Sequence, residues 1–320
     1  LIYLLNELHK GAFGSGFFSI RTGIWLRNKL FDFNILKAKH PGVFVISIGN
    51  LSVGGTGKTQ VSIYLAKALK DLNPCIVLRG YKRASRENLI VGSFDTKIYG
   101  DEAVEIFLKT KANVVVAFKR IEGAEICKKL GSKIIILDDA FSHRYIKRDL
   151  DILLMPANRI KDHLLPWGNL REPYSSMNRA DALIITRLES FDMPNISINK
   201  PIFRAKAIFR AFVDKNFEDV DISYVKGKSF SIVCAIGDEK PFIKFVENLS
   251  KDIGFIIEDI KVFPDHYFFK KEDLEPGKNY ICTTKDLVKL RDFDQFILGV
   301  DTTLDIPGFI DFVKNKYEKT

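Results

Sequence analysis

The sequence predicts an α/β protein, a parallel-sheet domain followed by a second, smaller α/β domain. Three observations carry that prediction. Apolar, β-branched runs alternate with helix-period segments from Val43 onward. Those runs are apolar throughout, not at every second residue, as in strands buried on both faces and joined by crossover helices. A glycine-rich turn, Ser52-Val53-Gly54-Gly55-Thr56-Gly57-Lys58-Thr59, stands between the first strand and the first helix.

Taken in order, the strands of the first domain are Val43–Ile48, Cys75–Leu78, Asn113–Ala117, Lys133–Leu137, Asp151–Met155 and Ala182–Thr186. Helical stretches at Lys58–Leu72, Glu102–Lys109 and Arg120–Leu130 separate the early ones. Scattered signals over Lys200–Lys226 divide this domain from the second. There the alternation resumes with Phe230–Ile236, a helix over Lys240–Leu249, Gly254–Val262, Tyr280–Thr283, a helix near Asp286–Asp292, and Gln295–Val300. The expected division is a segment 1–35, a domain 36–205 and a domain 206–320, with a cleft between the two domains.

The chain has 320 residues, 46% apolar and 28% charged, enough for two cores and too apolar for a disordered protein. Its four cysteines, Cys75, Cys127, Cys234 and Cys282, are widely spaced and mostly lie in or beside strand-like runs. They are expected to be buried free thiols in a reducing cytoplasm, neither a disulfide framework nor a zinc site. A net charge of +9 calls for a partner or another reason, with nucleic acid, an anionic membrane surface and a phosphorylated substrate as competing readings. Residues 1–50 carry six Lys/Arg against two acids, amid large apolar groups such as Phe17, Phe18, Trp25 and Leu30. The longest uncharged stretch there, Gly11–Ile20, is half of the ~20 residues a spanning helix needs. The N-terminus therefore reads either as a basic amphipathic segment lying in a membrane surface or as ordinary helices packed on the body.

The glycine-rich turn has the context of a P-loop. Glycines let backbone N–H groups approach phosphate oxygens, and the helix N-terminus that follows favours an anion. Lys58 would reach the β- and γ-phosphates of a nucleoside triphosphate, and the Thr59 hydroxyl would ligate Mg²⁺. Ser52 stands where the usual pattern has its first glycine, with Gly54 and Gly55 supplying the backbone freedom. The strand Ile134–Leu137 ends in Asp138-Asp139, the pattern of a Walker B strand that holds Mg²⁺ or its waters. Asp138 continues the strand and is the better candidate for the metal.

Further motifs follow in order: Gly49-Asn50 before the loop, Arg79-Gly80-Tyr81, Gly100-Asp101-Glu102, Arg120-Ile121-Glu122-Gly123-Ala124, and Leu137-Asp138-Asp139-Ala140-Phe141-Ser142-His143-Arg144. Then come Arg148-Asp149-Leu150-Asp151, Leu165-Pro166, Leu170-Arg171-Glu172-Pro173, Arg179-Ala180-Asp181, Phe263-Pro264-Asp265-His266 and Thr284-Lys285-Asp286. This series resembles the tetraacyldisaccharide 4′-kinase family, the lipid A 4′-kinases of Gram-negative bacteria, from the N-terminal segment to about Lys289. The resemblance implies transfer of the ATP γ-phosphate to the 4′-hydroxyl of an acylated glucosamine disaccharide 1-phosphate, giving the bis-phosphorylated lipid A precursor. It implies a peripheral enzyme on the cytoplasmic face of the inner membrane, held by its N-terminal segment, with no nucleic acid and no obligate protein partner.

Position by position, the resemblance makes Asp101 the catalytic base and His266 its partner from the second domain. A hydroxyl is a poor nucleophile, and a carboxylate oriented by an imidazole can take its proton late in a loose transition state. Closure of the two domains would join the pair and exclude water. Asp101 also suits a helix N-cap, and the two roles are compatible. Asn50, Arg120, His143, Arg171 and Glu172 match substrate-binding positions; Arg120 suits a phosphate, and Arg171 with Glu172 suits a loop-fixing ion pair as well. Arg148 and Asp149 read as structural.

The sequence departs from the family's common Asp-Asp-Gly-Phe-Gln-His at Ala140 and Ser142. Lys82 replaces a second glycine, and Gln60 a frequent proline. A different class, a nucleotide-dependent switch or partitioning ATPase, would share the P-loop but have no use for Asp101 with His266. A nucleic-acid-dependent ATPase rests on charge alone and predicts binding that falls steeply with salt.

Overall fold

The computed structural model describes residues 16–80, 83, 87–159, 162–165 and 167–320. The first fifteen residues of the expected N-terminal segment, with Tyr81, Lys82 and Pro166, lie outside the described residues.

In chain order, the first unit runs α1 (Gly16–Asp32), β1 (Phe44–Asn50), α2 (Lys58–Ala68), β2 (Pro74–Leu78), β3 (Leu89–Ile90), α3 (Thr96–Tyr99), α4 (Asp101–Thr110), β4 (Asn113–Val116), α5 (Arg120–Lys129), β5 (Ile134–Leu137), β6 (Leu150–Pro156), β7 (Ala182–Thr186) and β8 (Ile202–Arg204). Its sheet has the order β3-β4-β2-β5-β1-β6-β7-β8 and is parallel except for the short edge strand β3. The uniform apolar character of the strands has its expected cause. Ile46 and Ile48 face a core closed by Val61, Leu65, Ala103 and Ile106 of α2 and α4, while Val45 faces another closed by Ala124 and Cys127 of α5. Because β5 lies between β2 and β1, the loops leaving β1 and β5 are neighbours. That adjacency sets the phosphate loop beside Asp138 and Asp139 at the carboxyl ends of the strands, where open α/β sheets bind ligands.

The second unit contains β9 (Lys206–Val213), β10 (Asp219–Val220), β11 (Ser229–Cys234), α6 (Lys240–Ile253), β12 (Ile256–Val262), β13 (Asn279–Thr283), α7 (Thr284–Leu287) and β14 (Phe296–Asp305). They form a sheet of order β10-β9-β14-β13-β11-β12, in which β11 to β14 are parallel and β9 and β10 antiparallel. Helix α6 starts with Pro in its first turn and ends at Gly254 with φ 86°, the usual asymmetry of helix ends. The stretch expected to separate the domains instead holds β8 of the first sheet and β9 of the second, joined through Ala205.

The end of the chain returns to the first unit. The second half of β14, Asp301–Asp305, pairs only with β9, and this ribbon leads to α8 (Phe309–Glu318). Ile306, Phe309 and Val313 join the α2 face of the first core, and Phe309 meets Phe203 edge-on at 5.1 Å. Strands from 206 to 305 thus make a sheet of their own, while the last helix packs on the first unit.

The cysteines require a correction. Cys75 on β2 and Cys127 on α5 form a disulfide, their Cα atoms 5.7 Å apart and well within reach of one. Strand and helix bring together two residues that sequence spacing keeps apart. Cys234 and Cys282 are buried and free, as expected. Among the described residues, no helix is long and apolar enough to cross a membrane.

Candidate active site

The phosphate loop hangs between β1 and α2. Gly54 and Gly57 have φ 88° and 89°, and Gly57 caps α2, so both use backbone freedom that side-chain residues rarely have. The loop is tied down at three places. Val53 N–H donates to Asn169 O at 2.8 Å, the Thr186 hydroxyl donates to Thr56 O at 3.1 Å, and the Arg187 guanidinium donates to Gly55 O at 2.7 Å. Ser52 and Thr56 are buried, while Gly55 has open space where a side chain would stand.

Thr59 Oγ1 lies 3.3 Å from Asp138 Oδ2, and Lys58 Nζ lies 3.6 Å from Asp139 Oδ1. Burial, then Glu102 and Asp139, push the Asp138 carboxyl up to about 7 against the pull of Lys58. The converging hydroxyl and carboxyl oxygens are hard donors, too few to cage an ion alone, which suits Mg²⁺ shared with triphosphate oxygens. Asp139 takes the left-handed backbone, φ 49°, and Ala140 after it does not. The alanine that replaces a common glycine is therefore unstrained.

The substrate-site candidates separate into groups. Arg171 reaches Asp139 at 3.6 Å and so joins the phosphate end. Glu172 pairs with Arg179 at 2.8 Å and sits 3.6 Å from Arg27 of α1, not with Arg171 as the sequence suggested. The two side chains diverge at this bend, although the N–H groups of both donate to Leu51 O. Ser142, the residue replacing a family glutamine, helps Arg179 hold the Glu172 carboxyl below its ordinary value against burial. Arg120 is buried and donates to the Asp138 carbonyl at 2.9 Å; burial pulls it down to about 10 despite Asp139 and Asp138. His143 is pushed down to about 4 by burial and by Arg120, Arg148, Arg27 and Arg79, which leaves it neutral at pH 7. Asn50 is buried, its amide 3.5 Å from Ser52 Oγ at the start of the loop. Arg148 pairs with Asp151 at 2.8 Å, a structural role as expected.

Asp101 and His266, 165 positions apart, meet. His266 Nδ1 lies 2.9 Å from Asp101 Oδ2, and Asp101 Oδ1 accepts the Glu102 N–H at 2.9 Å. Burial would raise the Asp101 carboxyl, but the His266 hydrogen bond and the charges of Lys285 and Lys289 hold it at about 2. Asp101 does not cap α4; Gly100 takes that position with φ 89°, and Asp101 is the first helical residue. Glu102, the next residue, acts electrostatically on Asp138, so the first turn of α4 links the two ends of the site. Sequence reasoning assigned no role to Lys285, which comes from α7 to within 3.4 Å of both Glu102 and His266 Nε2. Its only signal was the Thr-Lys-Asp motif.

Residues 18–318 match the sequence model of LpxK, tetraacyldisaccharide-1-P 4′-kinase. The chain belongs to this family. The tetraacyldisaccharide 4′-kinase of Aquifex aeolicus is 40% identical over 289 residues, covering 87% of this chain and 90% of that protein. That of Flavobacterium psychrophilum is 34% identical over 324 residues, covering 92% and 90%. The crystal structure of LpxK from Aquifex aeolicus in complex with ATP superposes with a TM-score of 0.84 at 34% identity, covering 94% of this chain and 96% of that one. The fold of the LpxK family is thus that of this chain.

Proposed function

We propose that this protein transfers the γ-phosphate of ATP to the 4′-hydroxyl of a tetraacylated glucosamine disaccharide 1-phosphate, giving the bis-phosphorylated lipid A precursor. The observation that carries the reading is the Asp101–His266 pair, in a member of the LpxK family that has a phosphate loop. A switch ATPase has no role for such a pair.

Lys58 and the loop N–H groups hold the β- and γ-phosphates, and Arg171 stands near enough to neutralise charge on the group in flight. Thr59, Asp138 and Asp139 would hold Mg²⁺, which when bound neutralises phosphate charge. Asp101 accepts the 4′-hydroxyl proton as that oxygen attacks phosphorus. Held at about 2, its carboxylate is fully ionised at neutral pH, and His266 keeps one oxygen fixed while the proton moves. Closure of the second unit over the first would exclude water. Arg120 supports Asp138 from below through its carbonyl, and His143, half-buried near the same arginines, stays neutral.

Helix α1 and the turn after it support membrane attachment at the cytoplasmic face of an inner membrane. Trp25, Leu26, Phe33 and Ile35 are exposed there, Trp25 at 60%, beside Arg27, Lys29 and Lys37. Apolar groups among cations suit an interface between acyl chains and anionic head groups.

The test is phosphate transfer from γ-labelled ATP with Mg²⁺ to tetraacyl disaccharide 1-phosphate in detergent micelles, comparing wild type with Asp101→Ala. Labelled lipid from wild type, lost in Asp101→Ala with ATP binding intact, is the expected result. ATP hydrolysis without labelled lipid would overturn the acceptor.

A further inference from the structure

Asp138 is held by its backbone. Its N–H donates to Val77 O of β2 at 3.1 Å, and its carbonyl accepts from Arg120 of α5 at 2.9 Å. The residue whose carboxyl stands beside Thr59 therefore hangs between one strand and one helix. That strand and that helix are joined a second time, by the bond between Cys75 and Cys127. Cys75 and Val77, two residues apart on β2, share a face and pack with Ala124 and Cys127 in one core. Cys127 follows Arg120 by seven residues, two turns or about 10 Å along the same buried face of α5.

The sequence of α5 shows why such a tie matters. The residues it buries are Arg120, Gly123, Ala124 and Cys127, whereas α2 buries Val61, Ile63 and Leu65. Small side chains let α5 come close to the sheet: a Cβ on Gly123 would stand 2.6 Å from Val77 Cγ1 and 2.8 Å from Ala117 Cβ. Close approach reduces the apolar area that holds a helix on a sheet. Ile121, Ile126 and Leu130 add partly buried contacts at its flanks. The covalent bond anchors one end of this helix, and the Arg120 grip on Asp138 is at the other.

We propose that the Cys75–Cys127 bond is a positioning element of the nucleotide site: it clamps α5 to β2 and so fixes the grip of Arg120 on Asp138. Breaking the bond loosens that grip and weakens the hold on Mg²⁺ and ATP, which makes donor affinity depend on redox state. The step is a two-electron reduction. A dithiol gives two electrons and two protons to the sulfur–sulfur bond, leaving Cys75 and Cys127 as thiols and the dithiol as its own cyclic disulfide. Both cysteines are fully buried, so attack requires α5 to lift first, and the bond outlasts brief exposure to reductant. On the cytoplasmic face of a membrane, disulfides are uncommon and mostly serve redox chemistry or sensing; this one stands behind a nucleotide site. The inference rests on the reading of Asp138 as a holder of Mg²⁺ and is independent of the acceptor.

The test begins with cells lysed in denaturant and an alkylating agent, so that no bond forms afterwards. Of the four cysteines, peptide mass mapping is expected to find Cys234 and Cys282 alkylated and Cys75 joined to Cys127. Four alkylated cysteines overturn the proposal. Isothermal titration of ATP with Mg²⁺ then compares the full chain before and after treatment with dithiothreitol. The dissociation constant is expected to rise about fivefold, less than the roughly 10–100-fold that loss of a direct partner of a metal ligand costs, and to return on reoxidation. Cys75→Ala combined with Cys127→Ala should match the reduced protein and ignore dithiothreitol.

The deciding variant is Arg120→Lys, in which affinity is expected to be lowered already and to fall no further on reduction, because bond and guanidinium act through one grip. An unchanged dissociation constant on reduction of wild type overturns the proposal, as does an equal rise on reduction of Arg120→Lys. Loss of secondary structure on reduction, read by circular dichroism, overturns it as well, since the bond then holds the fold and not the site. If Asp138→Asn binds ATP with Mg²⁺ as tightly as wild type, the reading of Asp138 fails instead.

Discussion

The two ends of the cleft are built differently. At the phosphate end, Lys58, Thr59, Asp138 and Asp139 leave adjacent strands of one sheet, β1 and β5. Their positions are set by strand pairing within a single unit, and the loop is anchored by Asn169 and Thr186 of that same unit. At the acceptor end, Asp101 comes from α4 while His266 and Lys285 come from the second unit. One end is preassembled, and the other exists only while two units are docked. Variants at the two ends should therefore fail in different ways.

The largest difference is expected between Lys58→Ala and Asp101→Asn. Lys58→Ala removes a charge from the ground-state triphosphate and from the transition state, so ATP affinity and transfer both fall, transfer by about 10³-fold or more. Asp101→Asn keeps the shape and loses the base, lowering kcat about 10²–10⁴-fold with ATP affinity intact. Isothermal titration with ATP beside steady-state transfer measures both. Loss of ATP affinity in Asp101→Asn would remove the distinction between the ends.

How far each end was legible in the sequence follows from the same difference. The phosphate loop is eight contiguous residues between a strand and a helix, so the chain itself fixes the geometry, and Asp138 ends the strand paired directly with β1. Periodicity reports which face a residue takes on its own element, never which distant element meets it. Asp101 and His266 were paired only through a family resemblance, and Lys285 stood in a quoted motif without a role. The Cys75–Cys127 bond and the return of α8 were missed for the same reason. So was the pairing of Glu172 with Arg179 instead of Arg171, which depends on a turn whose shape local sequence does not state. In β9, residues alternate between exposed and half-buried before two buried ones, a weak signal that reads as irregular sequence.

A second contrast concerns stability. Glu172 is 1% exposed and neutralises Arg179 and Arg27 behind the phosphate end. Glu172→Ala leaves those guanidinium groups without their carboxylate and should cost about 3 kcal/mol in urea unfolding. Glu172→Gln, which still accepts hydrogen bonds, should cost less. Equal costs would show that charge is not what holds the segment.

At the acceptor end the corresponding effect depends on pH. The Asp101 carboxyl is depressed in the folded protein to about 2, below its ordinary value near 4. A depressed carboxylate contributes stability above the unfolded value and loses it as pH falls through the folded one. The contribution is about 2 kcal/mol at neutral pH and declines from about pH 4 toward pH 2. The stability difference between wild type and Asp101→Asn, measured from pH 6 to pH 3, should shrink at the acid end as other carboxylates cancel. A difference constant with pH would mean that Asp101 gains nothing from His266, Lys285 and Lys289.

The smallest effect expected joins the two ends. Arg187 follows β7, donates to Gly55 O in the phosphate loop at 2.7 Å, and pairs with Asp238 of the second unit at 2.5 Å. It does so from a left-handed backbone, φ 68°, which costs a non-glycine residue about 1 kcal/mol. A strained residue that bridges the preassembled end to the docked unit is placed to make loop geometry depend on docking. Arg187→Ala should raise KM for ATP about fivefold, near 1 kcal/mol, at little change in kcat. Arg187→Gly should raise KM equally while being more stable than Arg187→Ala by about 1 kcal/mol, because glycine takes that backbone freely. If KM is unchanged in both, the bridge does not reach the nucleotide, and the phosphate end is independent of the second unit altogether.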